Sequence, residues 1–142
     1  MCGFTRTEQH GGSGGGAFST DLTETCQLVG INIRHGSGVD AIQAVWSTPS
    51  GSRTTGAWYG GDGGELSSIN LAANEYITRV EGRSGSGVDQ LKFITSTGAA
   101  YGPFGGGGGD PFLLTNLQDV RGLFGRSGSG LDAIGFFVPA KC

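Results

Sequence analysis

The phrase Arg83-Ser84-Gly85-Ser86-Gly87-Val88-Asp89 occurs three times in this chain with small changes. It returns as Arg126-Ser127-Gly128-Ser129-Gly130-Leu131-Asp132, and stands earlier as Arg34-His35-Gly36-Ser37-Gly38-Val39-Asp40. A second phrase, Gly-Gly-x-Gly-Gly, keeps step with the first at residues 11–15, 60–64 and 105–109. Two independent phrases in one register define a threefold internal repeat, and a period of roughly 45 residues marks a repeat architecture.

Downstream of each aspartate the apolar residues alternate. Ile42, Ala44 and Trp46 follow Asp40 at every second position, Leu91 and Phe93 follow Asp89 in the same way, and Ile134, Phe136 and Val138 follow Asp132. A period of two belongs to a strand with one face buried, because successive side chains point to opposite sides of a sheet. Ile31, Val80 and Leu123 hold a common place ahead of their aspartates. No window carries a helical stripe, and glycine interrupts nearly every stretch a helix would need. Turn signals at Thr48-Pro49-Ser50-Gly51, Ala73-Asn74 and Thr97-Gly98 divide the chain into short strands. The sequence therefore reads as all-β, with three similar sheets in a single domain spanning residues 1–142.

The repeats do not start at the first residue. The third unit opens at Arg126 and the sequence ends at Cys142, so the N-terminal segment must complete it and the first and last strands are expected to pair. In that register Cys2 and Cys142 fall where the first unit has Gly51 and Ser50, neighbours at a hairpin tip, which puts the two cysteines within reach of a disulfide. Such a bond would close nearly the whole chain as a loop, worth about 4 kcal/mol in the chain-entropy model. Cys26 is left over, either as a small buried apolar side chain or as half of an intermolecular bond.

Composition removes several classes of function. Thirty glycines without a Gly-X-Y period, and with only four prolines, exclude collagen. Apolar residues spread between the glycine clusters exclude disorder. A net charge of −3 leaves no basic footprint for nucleic acid. No apolar run approaches the roughly 18 residues of a membrane span. Met1-Cys2-Gly3-Phe4-Thr5-Arg6 lacks the apolar core of a secretion signal, which fits a cytosolic chain or, slightly favoured, a mature secreted one.

Three chemistries match single phrases and fail on context. Gly11-Gly12-Ser13-Gly14-Gly15 has the letters of a hydrolase elbow, but that motif needs a helix behind the serine and a His–acid pair, and the other two copies have Asp62 and Gly107 at the central position. A phosphate-cradling loop would need a following helix and a lysine. Calcium-binding nonapeptides recur every nine residues, not once per repeat. Neither catalysis, metal nor cofactor is expected.

Arg79-Val80-Glu81-Gly82-Arg83-Ser84-Gly85, Tyr101-Gly102-Pro103-Phe104-Gly105, and Gly125-Arg126-Ser127-Gly128 with Leu131-Asp132-Ala133-Ile134-Gly135 together resemble the jacalin-related lectins, over the whole chain. The resemblance implies a β-prism I fold of three four-stranded antiparallel sheets about a pseudo-threefold axis, with sugar bound at one end. The threefold recurrence is similar to that of the mannose-binding subset with several sites. In this family each site is shared by an aspartate loop and the glycine loop that follows it in the same sheet. Carried over, the first site takes Asp40, the N–H groups of Ser37 and Gly38, and Gly64. The second takes Asp89, Ser86, Gly87 and Gly109. The third takes Asp132, Ser129, Gly130 and, across the chain closure, Gly15. The implied partners are glycans or glycoproteins, and a homodimer is common in the family. Galactose-binding members use a proteolytically freed N-terminal glycine; here residues 11–15 lie inside an uncut chain, which favours mannose or glucose. A galactose-type lectin, or a β-prism that binds protein through its strands, is the alternative.

These residue types suit the chemistry. An ionised aspartate is all acceptor and takes two hydroxyl protons at once, while backbone N–H groups donate to the ring and hydroxyl oxygens. Hydrogen bonds with a charged partner are worth about 1.5–3 kcal/mol each before desolvation. Sugar-binding relatives often place an aromatic two residues before the aspartate, where this chain has Gly38, Gly87 and Gly130. Losing that contact costs about 1 kcal/mol per site. Trp58, Tyr59 and Tyr101 lie near the glycine loops, as site edges or as ordinary strand-end aromatics.

Overall fold

A computed structural model describes residues 3–22 and 26–140. Among these the strands are β1 (Phe4–Arg6), β2 (His10–Gly11), β3 (Gly16–Ser19), β4 (Gln27–His35), β5 (Val39–Ser47), β6 (Arg53–Thr55) and β7 (Tyr59–Gly60). They continue as β8 (Glu65–Asn70), β9 (Ile77–Ser84), β10 (Val88–Thr95), β11 (Ala100–Gly105), β12 (Asp110–Leu114), β13 (Gly122–Ser127) and β14 (Leu131–Pro139). They form three antiparallel sheets. One runs β6–β5–β4–β8 with β7 also on β5, one runs β11–β10–β9–β12, and the third runs β1–β14–β13–β3 with β2 also on β14.

The third sheet is completed by the N-terminal segment, as the repeat register requires. Phe4 pairs with Pro139, His10 with Ile134 and Phe18 with Gly125. Just outside the paired strands the Ala140 N–H donates to Gly3 O at 3.1 Å. Cys2 and Cys142 lie beyond the described residues, and the disulfide expected between them lies there too. Cys26 is half-buried, with a free thiol. In two of the sheets the fourth strand is split into two pieces, β1 with β2 and β6 with β7. At the second split the chain rises over the Trp46 ring, where a β-carbon on Gly56 would come within 2.7 Å of the indole.

The inward faces meet on one core. Ile31, Val80 and Leu123, the common upstream positions, are fully buried, as are Ile42, Leu91 and Ile134 after the aspartates. Each such side chain contributes about 1.5–3 kcal/mol relative to leaving it in water. Phe93 and Phe136 meet edge to face at 6.2 Å on the axis side of two sheets. Three ring contacts close the seams between sheets: His10 stacks on Phe112 and Tyr59 on Phe18, while Phe104 tilts against His35. Tyr59 is therefore a seam residue.

At the end opposite the aspartate loops, Glu75 is 5% exposed and ties several turns together. Its carboxylate accepts from the Thr95 hydroxyl at 2.6 Å, the Ala72 N–H at 2.8 Å and the Thr97 hydroxyl at 3.1 Å, with the Tyr101 hydroxyl at 3.5 Å. The Thr95 hydroxyl first, then the Ala72 N–H, hold this carboxyl below its ordinary pKa against the opposing effect of burial. A depressed folded pKa stabilises above the unfolded value and ceases to as pH falls through the folded value. Glu75→Gln is expected to cost about 1–3 kcal/mol at neutral pH, and its difference from the parent should shrink below about pH 4. Urea unfolding across that range checks it.

Candidate functional site

Each repeated Arg-x-Gly-Ser-Gly-x-Asp phrase is a hairpin turn with a bulge. Within the turn the N–H of Gly36 donates to Gly38 O at 2.9 Å, that of Gly85 to Gly87 O at 2.9 Å, and that of Gly128 to Gly130 O at 3.0 Å. The strand register then skips one residue. His35 faces Val39 while Arg34 faces Ala41; Ser84 faces Val88 while Arg83 faces Gln90; Ser127 faces Leu131 while Arg126 faces Ala133. The skipped residues are Asp40, Asp89 and Asp132. A bulge bends its strand and re-aims the unpaired side chain, and here it turns each aspartate towards a glycine loop.

The glycine loops reach back to the same residues. The carbonyl of Asp40 accepts from the Gly61 N–H at 2.9 Å, that of Asp89 from Gly106 at 2.8 Å, and that of Asp132 from Gly12 at 2.9 Å. The last glycine of each loop has a positive φ: 74° at Gly64, 67° at Gly109 and 64° at Gly15. A β-carbon on any of the three would lie 2.6 Å from an Oδ2 of Asp40, Asp89 or Asp132 respectively. Only glycine permits both that conformation and that approach. The three aspartates are half-buried, and among the described residues no protein donor is bonded to their carboxylates. They are acceptors without a protein donor, each set beside the last glycine of a loop.

On the far side of each glycine loop lies an arginine. Arg34 Nε donates to Gly63 O at 3.0 Å, Arg83 Nε to Gly108 O at 3.0 Å, and Arg126 Nε to Gly14 O at 2.9 Å. In each case Nη2 donates to the next carbonyl, on Gly64, Gly109 or Gly15, at 3.1, 2.8 and 2.8 Å. The peptide unit that ends in Gly63 O also carries the Gly64 N–H, and the same holds in the other two loops. The guanidinium thus fixes and polarises the peptide plane that carries the N–H of the loop's last glycine.

The jacalin-like lectin domain profile matches residues 7–137. The chain belongs to the jacalin-like lectin family. Its structure is similar to that of Malaysian banana lectin, at 30% identity and TM-score 0.85 over 98% of this chain and 100% of that one. It is also similar to a mannose-binding jacalin-related lectin from Ananas comosus, at 28% identity and TM-score 0.85 over 97% and 99% of the two chains. Calystegia sepium agglutinin matches at 27% identity and TM-score 0.83 over 96% and 97%. No curated protein matched the sequence.

In this jacalin-like lectin the structure brings together the aspartate and the glycine named for each site: Asp40 with Gly64, Asp89 with Gly109, and Asp132 with Gly15. Ser37, Ser86 and Ser129 are exposed at the loop tips, and Gly38, Gly87 and Gly130 are half-buried beside them. These three glycines turn towards a common axis. A β-carbon on Gly38 would sit 3.6 Å from Val88 O, one on Gly87 3.4 Å from Leu131 O, and one on Gly130 3.9 Å from Val39 O. Those are ordinary contacts, so packing leaves room for a β-carbon at each of the three. Tyr101 lies at the far end against Glu75, whereas Trp58 is 41% exposed beside a glycine loop.

The arginines are the functional residues that sequence reasoning left without a role, although the signal was present: each opens its copy of the phrase. Arg83→Gln is expected to weaken sugar binding at the Asp89 site about three- to tenfold, because one charge-assisted anchor of the donor peptide is lost. Titration in a variant whose other two sites are disabled would measure it.

Proposed function

We propose that this chain is a multivalent lectin for mannose- or glucose-type glycans, binding without catalysis through three pseudo-equivalent sites. The observation that carries this reading is the threefold meeting of an unengaged carboxylate with a positive-φ glycine, at one end of the prism. A pyranose with adjacent hydroxyls complements that pair: the carboxylate takes two hydroxyl protons and the amides donate to ring and hydroxyl oxygens. Asp40, Ser37, Gly38 and Gly64 would form one site; Asp89, Ser86, Gly87 and Gly109 the second; Asp132, Ser129, Gly130 and Gly15 the third. The mannose-binding relative from Ananas comosus, at 28% identity over nearly the whole chain, supports the choice of sugar.

Without a stacking aromatic each site is expected to be weak, about millimolar or −4 kcal/mol. Engagement of several sites by one branched glycan raises apparent affinity about 10²–10⁴-fold. The aspartate loops adjoin one another around the axis, which supports a shared use of the three sites. Agglutination that is inhibited by methyl α-mannoside, and not by methyl α-galactoside, is the expected result. Inhibition by the galactoside alone would reassign the sugar, and silence from a folded protein would favour a role in protein contact.

A further inference from the structure

Three grooves lie at equivalent places on the outer faces of the sheets, and the first of them is walled by its glycine loop. Each is bordered by the loop's arginine, by the residue two positions ahead of the glycine phrase, and by the residue facing the arginine on the outer strand. In the first sheet these are Arg34, Trp58 and Leu66. In the second they are Arg83, Pro103 and Pro111, and in the third Arg126, Gln9 and Ala17. The grooves repeat with the prism, but their linings do not.

The first groove stands apart. Trp58 is 41% and Leu66 57% exposed, so two large apolar side chains are left in water side by side. Its volume is about 560 Å³, against about 480 Å³ in the second sheet, where Pro103 and Pro111 stand in their places, and about 200 Å³ in the third, where Gln9 and Ala17 do. Its wall is the glycine loop itself, through Gly60, Gly61 and Asp62, and Asp62 supplies a carboxylate where the other loops have Ser13 and Gly107. An apolar aromatic platform with one carboxylate at its rim is what the face and edge of a pyranose require: C–H groups lie on the ring system and hydroxyls donate to the acid.

We propose that this groove is a second sugar subsite, continuous with the Asp40–Gly64 site across the glycine loop, and that it holds a further pyranose of a linked glycan on Trp58 with its hydroxyls on Asp62. The inference rests on the sugar-binding reading above. Arg34 belongs to both parts: its guanidinium anchors Gly63 and Gly64, and its side chain borders the groove. The three sites are then unequal, the first selecting for chain length.

The test uses the full chain carrying Asp89→Asn and Asp132→Asn, so that only the Asp40 site is active, titrated with methyl α-mannoside and with a linear α-linked mannotriose. Mannotriose is expected to bind about five- to tenfold more tightly, a gain of the size that aromatic contacts supply, and to shift the Trp58 indole N–H resonance. The Trp46 indole donates to Arg121 O and serves as an internal reference. Trp58→Ala should bring the trisaccharide down to the affinity of the monosaccharide, and Trp58→Tyr should retain most of the difference. Equal affinities for the two sugars with an unmoved Trp58 resonance would overturn the subsite while leaving the Asp40 site standing. Absence of binding by either sugar would overturn both.

Discussion

Replacing Asp40, Asp89 and Asp132 together by asparagine is expected to abolish measurable sugar binding and to leave the fold intact. Each carboxylate would take two hydroxyl protons, and losing one charge-assisted bond of about 1.5–3 kcal/mol lowers affinity roughly 10- to 150-fold. A millimolar site cannot survive that within a practical titration. Single replacements should instead remove one site each and leave the other two at their own affinities. The fold should not suffer, because among the described residues these carboxylates accept no protein hydrogen bond. Their backbone carbonyls, which accept from Gly61, Gly106 and Gly12, are retained in asparagine. Calorimetric titration with methyl α-mannoside, beside a thermal melt, separates the two effects. A triple variant that still binds would move the sites elsewhere on a prism that is otherwise correctly read.

The second large effect lies between repeats. A β-carbon on Gly106 would come within 2.3 Å of Ser37 O, which belongs to the aspartate loop of another sheet. Gly61 stands in the same relation to Ser129 O and Gly12 to Ser86 O, at 2.1 Å each. Each glycine loop is therefore wedged against the aspartate loop of a neighbouring sheet, and the three wedges close a ring. Neither side has room to yield: Gly106 is bonded to Asp89 O at 2.8 Å, and the Ser37 turn is closed by Gly36 and Gly38 at 2.9 Å. Gly106→Ala is expected to cost about 3 kcal/mol, at the upper end of ordinary overpacking. It should also weaken two sites at once, the one built on Asp89 and the one built on Asp40. Its neighbour is the control. Gly107 has nothing within 4 Å of a built β-carbon, and the equivalent positions already carry Ser13 and Asp62. Gly107→Ala should change stability by less than about 0.5 kcal/mol. Equal effects of the two alanines in urea unfolding would contradict the wedge.

Much of this architecture is legible in the sequence because it repeats. The alternation after each aspartate marks the inward face, and Ile31, Val80 and Leu123 are fully buried as their shared register requires. The unfinished third unit foretells the pairing of Phe4 with Pro139. The partnership of Asp132 with Gly15 follows from the same closure, although the two are far apart in sequence. What is not legible depends on contacts between sheets, which carry no period along the chain. The stacking of His10 on Phe112 and Phe18 on Tyr59 joins residues of different repeats whose identities vary. The bulge that turns each aspartate out of its strand adds no residue signature beyond the glycines already present. The arginine behind each glycine loop was visible in the repeat, yet its partner is a backbone carbonyl, which no side-chain pattern reports. Glu75 occurs once, outside the repeated phrases, and only the folded chain shows that Thr95, Thr97 and Tyr101 converge on it.

The central claim is that three glycine amides and three carboxylates form sugar sites, and amide-resolved NMR titration of the intact chain with methyl α-mannoside tests it most directly. The amide resonances of Gly15, Gly64 and Gly109 should move together and saturate in the millimolar range, about −4 kcal/mol per site, while amides around Glu75 at the opposite end stay still. A folded protein whose Gly15, Gly64 and Gly109 amides remain unmoved at saturating sugar would contradict it.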